Sequence, residues 1–437
     1  MSTFVIGENE FNETYIEAFL DATFENAAFK ADLTAHLNGR SSGLNSLNDI
    51  FAHIDGFILE RMHQGPEELG YEPDDCRVAW LGARREIRET IQIYETGNKQ
   101  NPAAVHWPNP ERYPDQTTEG LLPFAEKLGL IDRTTPVGSA GSCFAWEISK
   151  NLQARGFNYV VTEHEVLPDL ADGVYALQTR LGSPVRSSAN WGILFNSPSF
   201  RQIAEKAFGE RELPHLLIPR TFTPPEGEDI RYFIDPYREG VVFTSVEAFE
   251  TNYPKHIEAS RQALLQSEYF VVTLGLNECW EYVPDGSVIA RNPAELNIRP
   301  LLRPRVLSVD ENIANIQRLY DIVRAHNPDF KLIVSVSPVP FLATSQADRQ
   351  HVITANTHSK AVLRVAAEEL ANRNDGIFYF PSFEAVTICT ADPWQADLRH
   401  VSPAAVANVM RLFETMFVAD SATTAAQQPD AAAAISA

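Results

Sequence analysis

Two rhythms of apolar residues run along this chain. In the first part, to about residue 115, apolar positions recur every three or four residues, as in "LNSLNDIFAHIDGFILERM" and "AWLGARREIRETIQIYETGN". That spacing predicts a helical N-terminal region over 1–115. Further on, short runs rich in β-branched and aromatic residues take over: "TTPVGS" (134–139), "NYVVT" (158–162), "YFVVTLG" (269–275), "KLIVSVS" (331–337) and "GIFYFPS" (376–382). Helical patterns follow or separate them at 144–155, 256–266, 310–326, 360–373 and 403–417. Continuously apolar strands alternating with helices predict a parallel sheet buried on both faces. With right-handed crossovers it winds into an open α/β sheet. The stretch from 163 to 255 shows little alternation and reads as an elaborated insertion in a domain covering 116–420. A Pro-rich joint, "NPAAVHWPNPERYPD", precedes that domain. The Ala-rich end, 421–437, is poor in large apolar residues and is expected to stay loose.

Ligands of open α/β sheets bind at the carboxyl ends of the strands. Four loops there are rich in reactive or polar groups: "GSAGSC" after the first strand, "GLNE" after the third, "SPVPF" after the fourth, and "WQADLRHVSP" ahead of the last helix. "GSAGSC" has three readings. It can cradle a nucleotide phosphate, with Glu163 at the end of the second strand as the ribose-binding acid, although its glycines do not make GxGxxG. Ser142 can be a nucleophile at a helix N-terminus, where unpaired N–H groups favour developing negative charge. Or Ser142 is simply a helix cap flanked by turn glycines.

A serine hydroxyl needs a base. Asp397 and His400, three apart in "DLRH", suit a carboxylate that fixes one imidazole nitrogen and leaves the other to face the serine. Asn277 in "GLNE" can donate its amide to an oxyanion or serve as a turn residue. Its neighbour Glu278 can touch substrate or be a solvated acid. Trp191, Phe195, Trp280 and Tyr282 flank these loops and either stack on a sugar ring or pack the insertion onto the sheet. Cys143, about 100° further round the helix than Ser142, reads as a small buried residue.

Charge and cysteine usage narrow the classes. Lys and Arg total 36 against 58 Asp and Glu, a net charge of −22, which disfavours nucleic acid as a partner. Cys76, Cys143, Cys279 and Cys389 are far apart, which fits free thiols rather than a metal knuckle or a disulfide framework. No apolar run has the length of a membrane span, and the start "MSTFVIGENEFNETYIEAF" is acidic where a signal peptide is basic. A cytoplasmic chain without a membrane partner is the expectation; the residues leave its oligomeric state open.

"GSCFA" at 141–145, with the downstream Asn and Asp-x-x-His, resembles the GSCFA-domain branch of the SGNH/GDSL hydrolase superfamily. "WGILFNSP" (191–198), "NTHSKAVLRVAAEEL" (356–370) and "FYFPSFE" (378–384) are similar to that branch as well. The resemblance implies a flavodoxin-like three-layer α/β/α sandwich. It implies Ser142 as nucleophile, His400 as general base and Asp397 as its orienting acid. Asn277, Gly192 and the N–H of Ser142 would form the oxyanion hole. Glu278 stands where many members of the superfamily have Asp. Such a site implies a serine esterase or O-acyltransferase acting on a small-molecule or glycan ester, with a carbohydrate acetyl ester as the implied substrate and neither metal nor organic cofactor needed. Glu278, Trp280 and Trp191 are the candidate substrate contacts. The alternative is a non-catalytic module on the same sheet that binds a glycan or nucleotide.

Overall fold

Tyr269–Leu274, buried at all six positions, lies inside a parallel sheet. The structure is a computed structural model that describes residues 3–6, 9–12, 20, 23–38, 47–95, 107–111, 117–124, 126–164, 174–176, 184–223, 228–290 and 298–419. The Ala-rich end, 421–437, lies outside the described residues. The chain divides into two units, Met1–His106 and Trp107–Ala437, at the Pro-rich joint.

The first unit contains helices Ala27–Asn38, Leu47–Arg61, Pro66–Leu69 and Pro73–Glu95. Their apolar stripes bury Phe29, Leu33, Ile54, Phe57 and Trp80 together. The Trp80 indole donates to Asp55 at 2.7 Å, which satisfies its one polar atom in that core. An antiparallel pair, Thr3–Ile6 with Asn9–Asn12, adds a hairpin that helical periodicity did not predict.

The second unit is built on a parallel sheet, whose strands and flanking helices are numbered here in chain order. They are β1 (Val137–Gly141), α1 (Cys143–Ala154), α2 (Ser197–Ala207), α3 (Val246–Gln266), β2 (Tyr269–Leu274), α4 (Val309–His326), β3 (Lys331–Val336), α5 (Val352–Arg373), β4 (Ile377–Phe380), α6 (Ser382–Thr387) and α7 (Pro403–Phe417). The four strands lie in the order β4-β3-β2-β1, all parallel. The pleat divides their side chains by period 2. Phe270, Val272, Leu274, Leu332, Val334 and Val336 face a core with α2, α3, α4 and α5. Tyr269, Val271, Ile333 and Phe380 face the opposite core with α1, α6 and α7. The result is a three-layer α/β/α sandwich.

The expected strand at 158–162 is reduced to a bridge: the Val137 N–H donates to Asn158 and the Val160 N–H donates back to Val137. It still lies beyond β1, so the chain leaves β1 to one side and later returns to the other. That makes the end of β1 the switch point of the sheet, where such folds bind ligands. At the opposite end of the unit's chain, Ile131 bridges Val418, and the Ala419 N–H donates to the Ile131 carbonyl at 3.0 Å.

The supposed insertion is partly central. Residues 197–207 form α2, packed on the sheet, and 246–255 form the first half of α3, whose Phe249 packs with Val241 and Phe243. Helix α3 starts ten residues before the expected His256, because Ser245 caps it and Pro254 is accommodated inside it. A proline reads as a helix breaker, which hid this start. Four further segments of the insertion form an antiparallel sheet in the order Val174–Ala176, Val241–Phe243, Ile230–Ile234, Ile218–Phe222. A smaller antiparallel sheet, Ser287–Ile289, Glu278–Tyr282, Leu302–Val306, follows β2. No helix among the described residues is long and apolar enough to cross a membrane.

Candidate active site

The turn from β1 into α1 requires glycine at 141. Its φ is +156°, and a Cβ there would stand 2.8 Å from the Ala145 Cβ. Ser142 follows in extended conformation as the N-cap of α1, only 2% exposed. Its side chain makes no capping hydrogen bond. Elsewhere in this unit Asn196, Ser245, Ser308 and Ser402 each accept an N–H from the first turn of the helix they cap. Among the described residues the Ser142 hydroxyl has only a 3.4 Å contact, with the Ser337 hydroxyl just past β3. It sits at a helix N-terminus without capping it, so the simple-cap reading does not account for it.

Cys143, the next residue, is half-buried. Burial pushes its thiol up, with Arg399 acting the other way.

Three loops carry the residues expected to act with Ser142 at this turn. Residues 192–195 reach it first: the Leu194 N–H donates to the Gly141 carbonyl at 3.0 Å, and the Phe195 carbonyl accepts from Gly275 and Leu276, both at 2.8 Å. This segment therefore links the ends of β1 and β2. Gly192 enters it at φ +71°, where a Cβ would lie 2.1 Å from the Glu239 carbonyl oxygen. Gly192→Ala is expected to destabilise the unit by about 1–3 kcal/mol from backbone conformation alone, with the clash adding to it. Thermal unfolding checks this; an unchanged midpoint would mean the loop has room to shift.

The second loop carries Asn277, which is wholly buried. Its N–H donates to the Ser359 hydroxyl at 2.9 Å, and its side-chain amide donates to the Leu307 carbonyl at 3.2 Å. Among the described residues the buried amide oxygen has no partner. Asn277 thus lies on the expected sheet edge, but it makes no hydrogen bond to Ser142 here.

The third loop closes on itself through Gln395 N–H to the His400 carbonyl at 2.7 Å and Ser402 N–H to the Pro393 carbonyl at 2.8 Å. Inside it the Asp397 carboxylate bonds the His400 ring at Nδ1 and accepts the Arg399 and His400 N–H groups at 3.0 and 2.9 Å. The bonds from His400, then from Arg399, hold this carboxyl far below the ordinary carboxylate range. His400 and Asp397 are 48% and 44% exposed, in contrast to the buried Ser142. Arg399 donates to the Pro340 carbonyl at 3.2 Å and so ties this loop to the one after β3. The structure assembles the Asp397–His400 pair; the imidazole and the Ser142 hydroxyl are not hydrogen-bonded to each other.

Three expected contacts have other occupations. Glu278 accepts from Thr344 Oγ1 and Gln346 Nε2 on one oxygen, and from the Ser345 N–H and hydroxyl on the other. Burial opposes its charge, but these donors bring its pKa below the ordinary value. It anchors the 344–346 loop rather than reaching for substrate. Trp191 is 1% exposed, donates to Ser260 at 2.7 Å and packs edge-on against Phe270, so it belongs to the core. Trp280 and Tyr282, on one face of their strand, pack against Ile289, Ile298 and Leu302. Packing of the inserted sheet won over sugar stacking at these positions.

Glu163 is no ribose acid. It pairs with His256 at 2.6 Å and Arg238 at 3.4 Å and accepts the Asn190 N–H at 3.0 Å. The Arg238 guanidinium also donates to the Asn190 carbonyl at 2.9 Å, so the cluster clamps the start of the Gly192 loop. Burial first, then Arg238, hold His256 well below its usual range. Burial opposes the charge on Glu163, yet His256 and Arg238 bring it down as well. With both groups depressed, the unfolded chain binds more protons below the ordinary histidine value of about 6.5. Stability is therefore full above that pH and declines as pH falls. The midpoint of thermal unfolding is expected to drop between about pH 6.5 and 5, and His256→Gln to flatten that slope. A midpoint constant over the window in wild type would overturn this.

Sequence reasoning did not single out Ser337, Ser359, Lys360 or Arg399. Lys360 is 3% exposed, and its amine donates to the Gly275 carbonyl at 2.8 Å and the Val339 carbonyl at 2.9 Å. Its signal was available, since a lysine among the apolar positions of a helix is out of place. Among the described residues no group of three or more His, Cys, Asp or Glu is arranged to hold a metal ion.

The GSCFA family profile matches residues 136–413, from the residue before β1 into α7. The chain belongs to the GSCFA family. The family's matched stretch therefore contains Ser142, Gly192, Asn277, Asp397 and His400 together. No curated protein matches the chain. Among solved structures it is similar to a family 3 carbohydrate esterase from Talaromyces cellulolyticus, at 12% identity over 64% of this chain and 94% of that one, TM-score 0.27. A family 3 carbohydrate esterase from Clostridium thermocellum stands at 10% identity, 65% and 94% coverage, TM-score 0.27. A Streptococcus pneumonia protein named for platelet activating factor shows 13% identity over 39% of this chain and 66% of its own length, TM-score 0.23.

Proposed function

We propose that this GSCFA protein is a serine esterase or O-acyltransferase of the SGNH/GDSL type. The observation that carries the reading is the Ser142 hydroxyl, buried at a helix N-terminus and not used as a cap. His400 takes the hydroxyl proton through Nε2 while Asp397 holds Nδ1. Ser142 Oγ attacks the ester carbonyl, and the carbonyl π electrons move onto its oxygen. The N–H groups of Ser142 and Gly192 and the Asn277 amide stabilise that oxyanion. Collapse expels the alkoxide, which receives the proton from His400. Water or a second hydroxyl, deprotonated by the same imidazole, then releases the acyl group from Ser142. The loop 393–402 must bring the imidazole to the hydroxyl, as apo sites often tighten only with substrate bound.

The proposed substrate is an O-acyl, most simply O-acetyl, ester of a carbohydrate, which rests on the sequence resemblance. The test has two arms on the wild-type protein. A serine-reactive fluorophosphonate is expected to label Ser142, located by peptide mass spectrometry, and p-nitrophenyl acetate is expected to be turned over. Acetylated sugars with and without an acceptor glycan then separate hydrolysis from transfer. Absence of both labelling and turnover would reject the reaction.

A further inference from the structure

Helix α5 has a polar patch inside its buried face. Asn356, Ser359 and Lys360 fall at i, i+3 and i+4, one side of the helix. The same helix continues into the core with Leu363, Ala366, Ala367 and Leu370. Each of the three polar side chains holds a loop at the carboxyl edge of the sheet. The Phe341 N–H donates to the Asn356 amide oxygen at 3.2 Å, and the Asn277 N–H donates to the Ser359 hydroxyl at 2.9 Å. The Lys360 amine joins two loops, through the Gly275 and Val339 carbonyls.

A buried amine is costly unless its donors are satisfied. Among the described residues no carboxylate acts on Lys360, and its amine bonds two backbone carbonyls, so neutralising a charge does not explain it. Burial lowers its pKa to about 7, with the Cys143 thiol the one group acting against that shift. What the amine does is geometric. One carbonyl lies two residues before Asn277, and the other lies two residues after Ser337, whose hydroxyl touches that of Ser142.

We propose that Asn356, Ser359 and Lys360 are positioning residues that hold the Asn277 loop and the Ser337 loop in register with Ser142, Lys360 being the tie between them. Their contribution passes through those loops; none of the three needs to touch substrate. The catalytic part of this inference rests on the esterase reading above, while the structural part does not.

The test uses the full-length chain as wild type, Lys360→Met and Ser359→Ala. Hydrogen exchange is followed by mass spectrometry in peptides covering 275–278 and 337–341, with β3 as internal reference, alongside p-nitrophenyl acetate kinetics. In Lys360→Met both loops are expected to exchange faster than in wild type while β3 does not. Its kcat is expected to fall about 10²-fold with KM within about 3-fold, since small misplacements of site groups act on the transition state. Ser359→Ala is expected to loosen 275–278 alone, and it decides the matter if Lys360→Met fails to fold. Unchanged exchange in both variants would overturn the proposal, as would loosened loops with kcat intact. Should the wild type turn over no ester, the reaction assignment fails by itself, and the exchange data alone then support or overturn the tie.

Discussion

Ser142→Ala is expected to lower kcat for p-nitrophenyl acetate on the order of 10⁴- to 10⁶-fold, the scale seen when a nucleophile that works with a base is removed. The same substitution is expected to leave the thermal unfolding midpoint nearly unchanged. Both halves come from one observation. Among the described residues the hydroxyl makes no capping bond and only a 3.4 Å contact with Ser337, so α1 loses almost nothing with it. Most buried serines would behave differently: Ser139, Ser149 and Ser335, for example, hold hydrogen bonds of 3.1 Å or less. A large loss of stability with modest loss of rate would mean that Ser142 is structural. Equal turnover by the two proteins would reject it as the nucleophile.

His400→Ala carries the second large effect, a fall in kcat on the order of 10⁴-fold, because without a base the alcohol is a poor nucleophile. Asp397→Ala is expected to cost less. The carboxylate orients a ring that is itself 48% exposed, and water can replace part of its hydrogen bonding. Neither change should move the unfolding midpoint far, since exposed charge pairs contribute little to stability. Steady-state rates and thermal melts on the same preparations check both statements. Full activity in His400→Ala would remove the imidazole from the mechanism and leave the loop 393–402 without its assigned purpose.

The parallel strands were legible because both faces of the sheet are covered, which makes Tyr269–Leu274 and Lys331–Val336 near-continuous apolar runs. The stretch 158–162 is also β-branched and aromatic, yet it holds only a bridge to Val137 at the edge of the sheet. Helix α2 escaped notice because buried polar residues interrupt its stripe: Ser197 bonds Asn312, and Gln202 bonds the Val288 backbone. Its packing is settled by partners far away in the chain. The candidate site was legible where chemistry is local, in the Asp397–His400 pair and the Gly141–Ser142 turn. Glu278, Trp191 and Glu163 could not be placed from sequence, because their side-chain partners lie 66 to 68, 69 and 75 to 93 positions away.

The bridge between Ile131 and Val418 sets the two ends of the sandwich side by side. A short peptide could join them, and the ring so formed could be opened at a turn on the sheet edge remote from Ser142. In such a permuted protein the imidazole would precede the serine along the chain, with every spatial relation kept. The linear sequence in which these groups are synthesised would then be an accident of where the backbone starts.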